Sequence, residues 1–293
     1  MTITAEILDY YRQPGPMTSA GQHEAVLESL PGDIGELAKI VQGVLLHEHW
    51  APAYGQVLSD QRRSDTHLRP ASAMLDRVLS IDDRPLGEPR PLEDRVVGTC
   101  RNFTVLMVAI LRHQGIPARA RCGFATYFDE SSFVDHWVAE YWCNSSQRWK
   151  MVDAQLDQFQ RDRISLNFDV LDVPTDRFLV AGQAWQRCRA GDADPYLFGI
   201  MHMRGMWFIA GNLFRDLAAL NNAEMLPWDD WGNMPQPESD IPEERLAVFD
   251  ELAAVTSEPD KHMRKLGELY TDSRFFVPEV VYNAVRQTPD RVF

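Results

Sequence analysis

Apolar side chains recur at helical spacing over residues 35–49 and again over 71–80, and each run is bounded by polar, proline-containing connections, so both are predicted to be helices. Over residues 82–91 the period breaks down at Pro85, Gly87, Pro89 and Pro91, which predicts a loop. The pattern then tightens. Phe103, Val105, Leu106, Val108, Ala109 and Leu111 form a dense apolar helix that stops at His113 and Gln114, ahead of Gly115 and Pro117, the usual residue order of a helix end.

Three short stretches rich in strand-favouring residues follow, at 118–128, 136–142 and 149–153. The polar residues 144–147 separate the last two, which predicts an antiparallel hairpin. Counting outward from a centre between Ser145 and Ser146 sets Asp153 opposite Val138, and alternation puts His136, Val138 and Glu140 on one face. From about residue 178 the pattern is again mainly helical, including 203–221, with a loop-like stretch at 227–242 and no internal repeat. This order fits an α+β fold: a helical N-terminal part (1–90), a core (91–175) and a mainly helical C-terminal extension (176–293).

Composition narrows the function classes. A chain of 293 residues with 45% hydrophobic content buries a substantial core. Its 29 Lys and Arg against 43 Asp and Glu give a net charge of −14, which repels phosphate backbones and anionic membranes, and no basic patch offsets it; neither nucleic acid nor membrane is an expected partner. No apolar run approaches the ~20 residues that span a bilayer, and Glu6 and Asp9 flank the short apolar pair near the start, unlike a signal peptide. Cys100, Cys122, Cys143 and Cys188 show no close pairing, so reduced thiols and a cytoplasmic location are expected.

Candidate chemistry centres on Cys100. A thiol attacks a carbonyl as its thiolate, and Cys100 stands at the predicted start of the Phe103 helix, where unsatisfied amides and the helix dipole favour negative charge. Gly98 is expected to ease the turn into the helix, and Arg101 to add positive charge. His136 opens one predicted strand and Asp153 closes the next. A carboxylate bonded to one imidazole nitrogen fixes the tautomer and leaves the other nitrogen to take the thiol proton.

Gly98-Thr99-Cys100, the apolar helix behind it, 115–119, His136-Trp137 with Glu140, and Trp149 with Val152-Asp153 resemble, in order, the motifs of the transglutaminase-like superfamily. The resemblance covers residues 98–155. It implies a papain-like core in which Cys100 heads a helix packed on an antiparallel sheet, with Cys100 as nucleophile, His136 as base and Asp153 as the orienting group. Two positions depart from the family pattern: Val138 stands where a tryptophan is usual, and Ala154 where a proline follows the aspartate. The implied activity is acyl transfer from an amide or peptide carbonyl through a thioester, resolved by an amine or, as in a cysteine protease or deamidase, by water. The substrate would be a peptide, a protein or a small amide. A non-catalytic binding module on the same fold is the competing reading, and its usual sign is loss of a triad residue; all three are present.

Other features carry weaker expectations. The Cys100 amide is the first candidate oxyanion donor, with Trp50 or Gln56 as a second. His47 and His49, two apart on an expected helix, point to different sides and lack a third ligand, so no metal or other cofactor is expected. Met201, Met203, Met206, Trp207, Phe208, Leu213 and Phe214 read as core or as a cleft wall in which Arg204 and Arg215 hold a carboxylate. The acidic 227–232 stretch reads as an exposed loop that can act as a lid.

Overall fold

The computed structural model describes residues 3–292. The chain forms two compact units that interleave along the sequence. One, here the Cys100 unit, comprises Leu8–Ala120 and Val138–Val173; the other, the His136 unit, comprises the segment ending at Ile7, Arg121–Trp137 and everything from Pro174 onward. The architecture is mixed α+β, as the hydrophobic pattern predicts.

In the Cys100 unit the first long helix is Ile34–Val44, capped by Asp33, whose carboxylate accepts the Glu36 N–H at 3.0 Å. The helix expected over 35–49 therefore ends early. Leu45–His47 is strand β1, paired in parallel with β2 (Val96–Gly98). All three β1 residues are buried, and a short strand buried on both faces carries the same unbroken apolar run as a buried helix. The second helix, Ala71–Ile81, matches its expectation. The 82–91 loop is folded around Arg90, which is 1% exposed and donates to the carbonyls of Asp82 (3.0 Å), Arg84 (2.6 Å), Pro85 (3.2 Å) and Glu88 (3.1 Å).

The central helix is Cys100–His113, with every residue from Cys100 to Arg112 buried, and it packs on the helices Glu24–Glu28, Ile34–Val44 and Ala71–Ile81. It stops at Gln114, and Gly115 turns the chain with a φ of 72°. Strands β3 (Ala118–Ala125), β4 (Phe133–Cys143) and β5 (Arg148–Val152) follow. The β4–β5 hairpin is antiparallel and runs from Ala139 opposite Val152 to Cys143 opposite Arg148, the register counted from the sequence. Gln147, with a φ of 52°, supplies the left-handed position of its turn.

Strands β3 and β4 continue into the His136 unit, where the order is β6–β3–β4–β7–β8, with β6 at Phe178–Val180, β7 at Phe198–Ile200 and β8 at Met203–Arg204. A Cβ on Gly123 would lie 2.2 Å from the Leu179 carbonyl oxygen, so the β3–β6 approach requires glycine there. Helices Ala181–Ala190, Met206–Leu220 and Glu243–Ser257 pack together over Trp185, Phe214 and Phe249. The helix expected over 203–221 starts three residues later, because 203–204 pair with β7. Asp216, within that helix and fully buried, accepts Arg121 Nε and Nη2 at 3.0 and 2.9 Å and the Cys122 N–H at 2.9 Å.

The 227–232 stretch is not an exposed loop. Asp229–Asp230 is strand β9, paired with β10 (Val280–Asn283), which pairs in turn with β11 (Thr288–Arg291). Trp231 is 5% exposed and donates its indole N–H to the Phe275 carbonyl at 2.9 Å. An acidic, tryptophan-bearing sequence is compatible with burial when its backbone joins a sheet and its polar atoms are bonded.

Candidate active site

Cys100 is the first residue of the central helix and is 8% exposed. At that position its backbone N–H has no acceptor within the helix, and the positive end of the helix dipole lies at its thiol. The helix start is locked by Asn102, whose side-chain carbonyl accepts the Thr99 N–H (2.9 Å) and the Thr99 hydroxyl (3.1 Å), while its amide donates to the Leu68 carbonyl (3.0 Å). Gly98 does not provide a sharp turn. It is an extended strand residue facing His47 of β1, and its glycine is needed because a Cβ would come within 2.9 Å of the Asn102 Cβ. Arg101 likewise differs from expectation: it is fully buried and ties the helix to the preceding loop by donating to the Arg69 carbonyl at 2.6 Å.

Asp153 lies in the same unit, one step past the last paired residues of β5, so the observed register carries it opposite Val138. It is 1% exposed. One carboxylate oxygen accepts the Gln155 N–H at 3.1 Å, and the Asp153 N–H donates to the Val170 carbonyl at 2.9 Å, which fixes the side chain in a local turn. The other motif residues meet beside this strand. Arg119 pairs with Glu140 at 2.5 Å, its guanidinium lies 4.2 Å from the Trp149 ring and 5.1 Å from the Tyr11 ring, and both members of the pair are nearly inaccessible. Their role is to stiffen the hairpin by a buried, charge-assisted contact between two aromatic faces.

His136 belongs to the other unit. It sits in β4, 2% exposed, and meets the rings of Phe128 (4.9 Å), Tyr127 (5.9 Å) and Phe178 (6.4 Å) edge-on. This aromatic collar limits how the imidazole can turn. On the opposite face of the strand, Asp135 accepts the Asn212 amide at 2.7 Å, and burial raises its pKa above the ordinary carboxylate value. The strand expected over 118–128 ends at Ala125, and the turn of chain after it brings Phe128 to His136; no sequence signal marked Asp135.

The weaker candidates are also placed. His47 ends β1 rather than lying on a helix, and its ring is 5.6 Å from that of His49, whose N–H donates to His47 Nδ1 at 3.2 Å. Trp50 and Gln56 flank the single helical turn Ala51–Tyr54. Arg204 donates to the carbonyls of Met201 (3.0 Å) and Leu197 (3.2 Å), and Arg215 to Asn212 Oδ1 (3.2 Å) and the Asp229 carbonyl (3.2 Å), so both spend donors within their own unit. One thiol was missed by sequence reasoning. Cys143, at the end of β4, lies 3.2 Å from the Ser145 hydroxyl, and hydrogen bonds from Ser145 and then Ser146 lower its pKa to about 6.

No curated protein matches the sequence. A solved structure of a candidate cysteine protease from Cytophaga hutchinsonii shares 17% identity with the chain at a TM-score of 0.33, over 52% of this chain and 43% of that one, so less than half of that protein's length is matched. The segment holding the Cys100 helix and the β4–β5 hairpin is identified by a family model: residues 83–154 match the transglutaminase-like superfamily.

Proposed function

We propose that the protein is a cysteine-dependent enzyme that transfers an acyl group from an amide, with Cys100 as nucleophile, His136 as base and Asp153 as the group that orients it. The observation that carries the reading is Cys100 at the head of a buried 14-residue helix, inside the matched segment, with Asp153 closing the hairpin of the same unit. The thiol proton passes to His136 and the thiolate sulfur bonds to the amide carbon. As the C–N bond breaks, ammonia or an amine leaves with that proton, and a thioester remains. An attacking amine gives transfer and water gives hydrolysis; in either case the attacker's proton goes to His136 and the thiolate is released. The Cys100 N–H is the first donor to the oxyanion.

The test is incubation with a glutamine-containing peptide, with and without a labelled amine. Incorporated label identifies transfer, and a deamidated or cleaved peptide identifies hydrolysis. Cys100→Ala is expected to abolish either product, and turnover that persists in that variant would overturn the reading. Thiol labelling has to be assigned by peptide, because Cys143, with its pKa lowered to about 6, is itself expected to be alkylated at slightly acidic pH.

A further inference from the structure

A narrow cleft opens in the Cys100 unit beside the first turn of the central helix. His47, which pairs with Gly98, and Phe103, one helical turn beyond Cys100, form part of its wall. Its other side carries a chain of four hydrogen-bonding groups. Asp157 accepts the Gln160 N–H on one oxygen (2.9 Å) and the Tyr54 hydroxyl on the other (2.7 Å). Having spent its proton, the Tyr54 oxygen accepts Gln160 Nε2 (3.2 Å), which turns Gln160 Oε1 toward Gln155 Nε2 (3.1 Å).

Because Asp157 accepts from both the Gln160 N–H and the Tyr54 hydroxyl, the direction of every amide along the chain is set from that end. Tyr54 keeps its proton, its pKa raised by burial and by the bond to Asp157. The far end is thereby forced to be an acceptor: Gln155 Oε1. Gln155 lines the cleft, is 3% exposed, and this oxygen is buried with no hydrogen-bond partner among the described residues. A buried acceptor without a donor is unfavourable, so the site is completed by a donor from outside these residues, an O–H or an N–H. Arg95 also lines the cleft and offsets the charge of Asp157, so the incoming group need not be charged.

We propose that Gln155 is a specificity residue whose side-chain carbonyl receives an amide N–H of the substrate, held in that orientation by Gln160, Tyr54 and Asp157. Naming the occupant as substrate rests on the acyl-transfer reading of Cys100; the donor-selective site itself does not.

The experiment uses the full chain carrying Cys100→Ala, labelled with ¹⁵N, and titrates propionamide or N,N-dimethylpropionamide while following the side-chain amide signals of Gln155 and Gln160. Propionamide is expected to shift the Gln155 signal with an affinity about tenfold better than its dimethyl analogue, which lacks the N–H. Asp157→Asn still caps Gln160 through its oxygen but donates to Tyr54, which reverses the chain and presents the Gln155 NH2 instead. The propionamide preference should then disappear. Tyr54→Phe breaks the same chain and should remove the preference too, which keeps the test available if the Asp157 variant does not fold. Equal response to the two amides, no response to either, or a preference unchanged in the variants would overturn the proposal. Selective binding with neither peptide turnover nor Cys100-dependent turnover of propionamide by the wild-type protein would leave the site standing and sink the Cys100 reading. Cys100-dependent turnover without selective binding would do the reverse.

Discussion

The start of the central helix and the tip of the β4–β5 hairpin each present a cysteine, and the two differ in nearly every physical respect. Cys100 is buried at the N-terminus of a long helix, within a frame of Thr99, Asn102 and Arg101 bonded to the preceding loop. Cys143 is partly exposed, and its low pKa comes from two serine hydroxyls in a turn of only a few residues. Thiolate character is cheap to make at an exposed turn. A catalytic thiol also needs donors for the developing oxyanion and a positioned base, and only a site built from several elements supplies them. The comparison teaches that a low thiol pKa and a built framework need not coincide, and it predicts that ease of alkylation and competence for catalysis separate in this protein.

The strongest way to break that contrast is to exchange the two thiols' roles. Cys100→Ala should lower turnover about a thousandfold or more, whereas Cys143→Ser should leave kcat/KM within about twofold, as expected of a thiol outside the reacting constellation. Loss of activity in the Cys143 variant would reverse the assignment. Asp153→Asn should cost about 10²- to 10⁴-fold in kcat by removing the group that fixes the imidazole tautomer, with little change in thermal stability because the bond from Gln155 can be kept.

The scaffold around the two thiols gives smaller effects. Arg119→Ala removes the guanidinium that pairs with buried Glu140 and lies against Trp149, and should destabilise the chain by about 3–5 kcal/mol in denaturant titration. A milder loss, about 1 kcal/mol, is expected from Asn102→Ala, which opens the Thr99 cap and should also slow turnover by loosening Cys100. The smallest effect concerns only the hairpin. Iodoacetamide labelling of the Cys143 peptide should follow its thiolate, rising through a midpoint near pH 6 and levelling above it. In Ser145→Ala the midpoint should move up toward the ordinary thiol value of 9.0, because a bond favouring the anion is lost. A midpoint that stays near 6 would assign the shift to the turn's backbone amides instead.

Much of this was legible because the signals are local. The hairpin register follows from a polar turn of fixed position and a two-residue period, and β4 and β5 pair as counted. The helix from Cys100 to His113 is marked by its apolar density and its Gly115 stop. Residues 45–47 were misread because an apolar run buried on both sides has no period to distinguish strand from helix. Asp229–Asp230 and its partner β10 lie about fifty residues apart in sequence, and no local pattern announces such a pairing.

The sequence by itself determined the order of chemical groups: a cysteine before an apolar helix, a histidine and an aspartate on successive strands, and the register that sets Asp153 opposite Val138. These follow from short-range periodicity and turn signals, which act over a few residues. Tertiary structure alone decided what surrounds them. It buried Arg101 as a tether, closed an aromatic collar on His136, gathered Arg119, Glu140 and Trp149 into one cluster, and linked Tyr54 to Gln155 through Asp157 and Gln160. Those contacts join residues distant in the chain, and their energies depend on burial and partner geometry that no local pattern encodes.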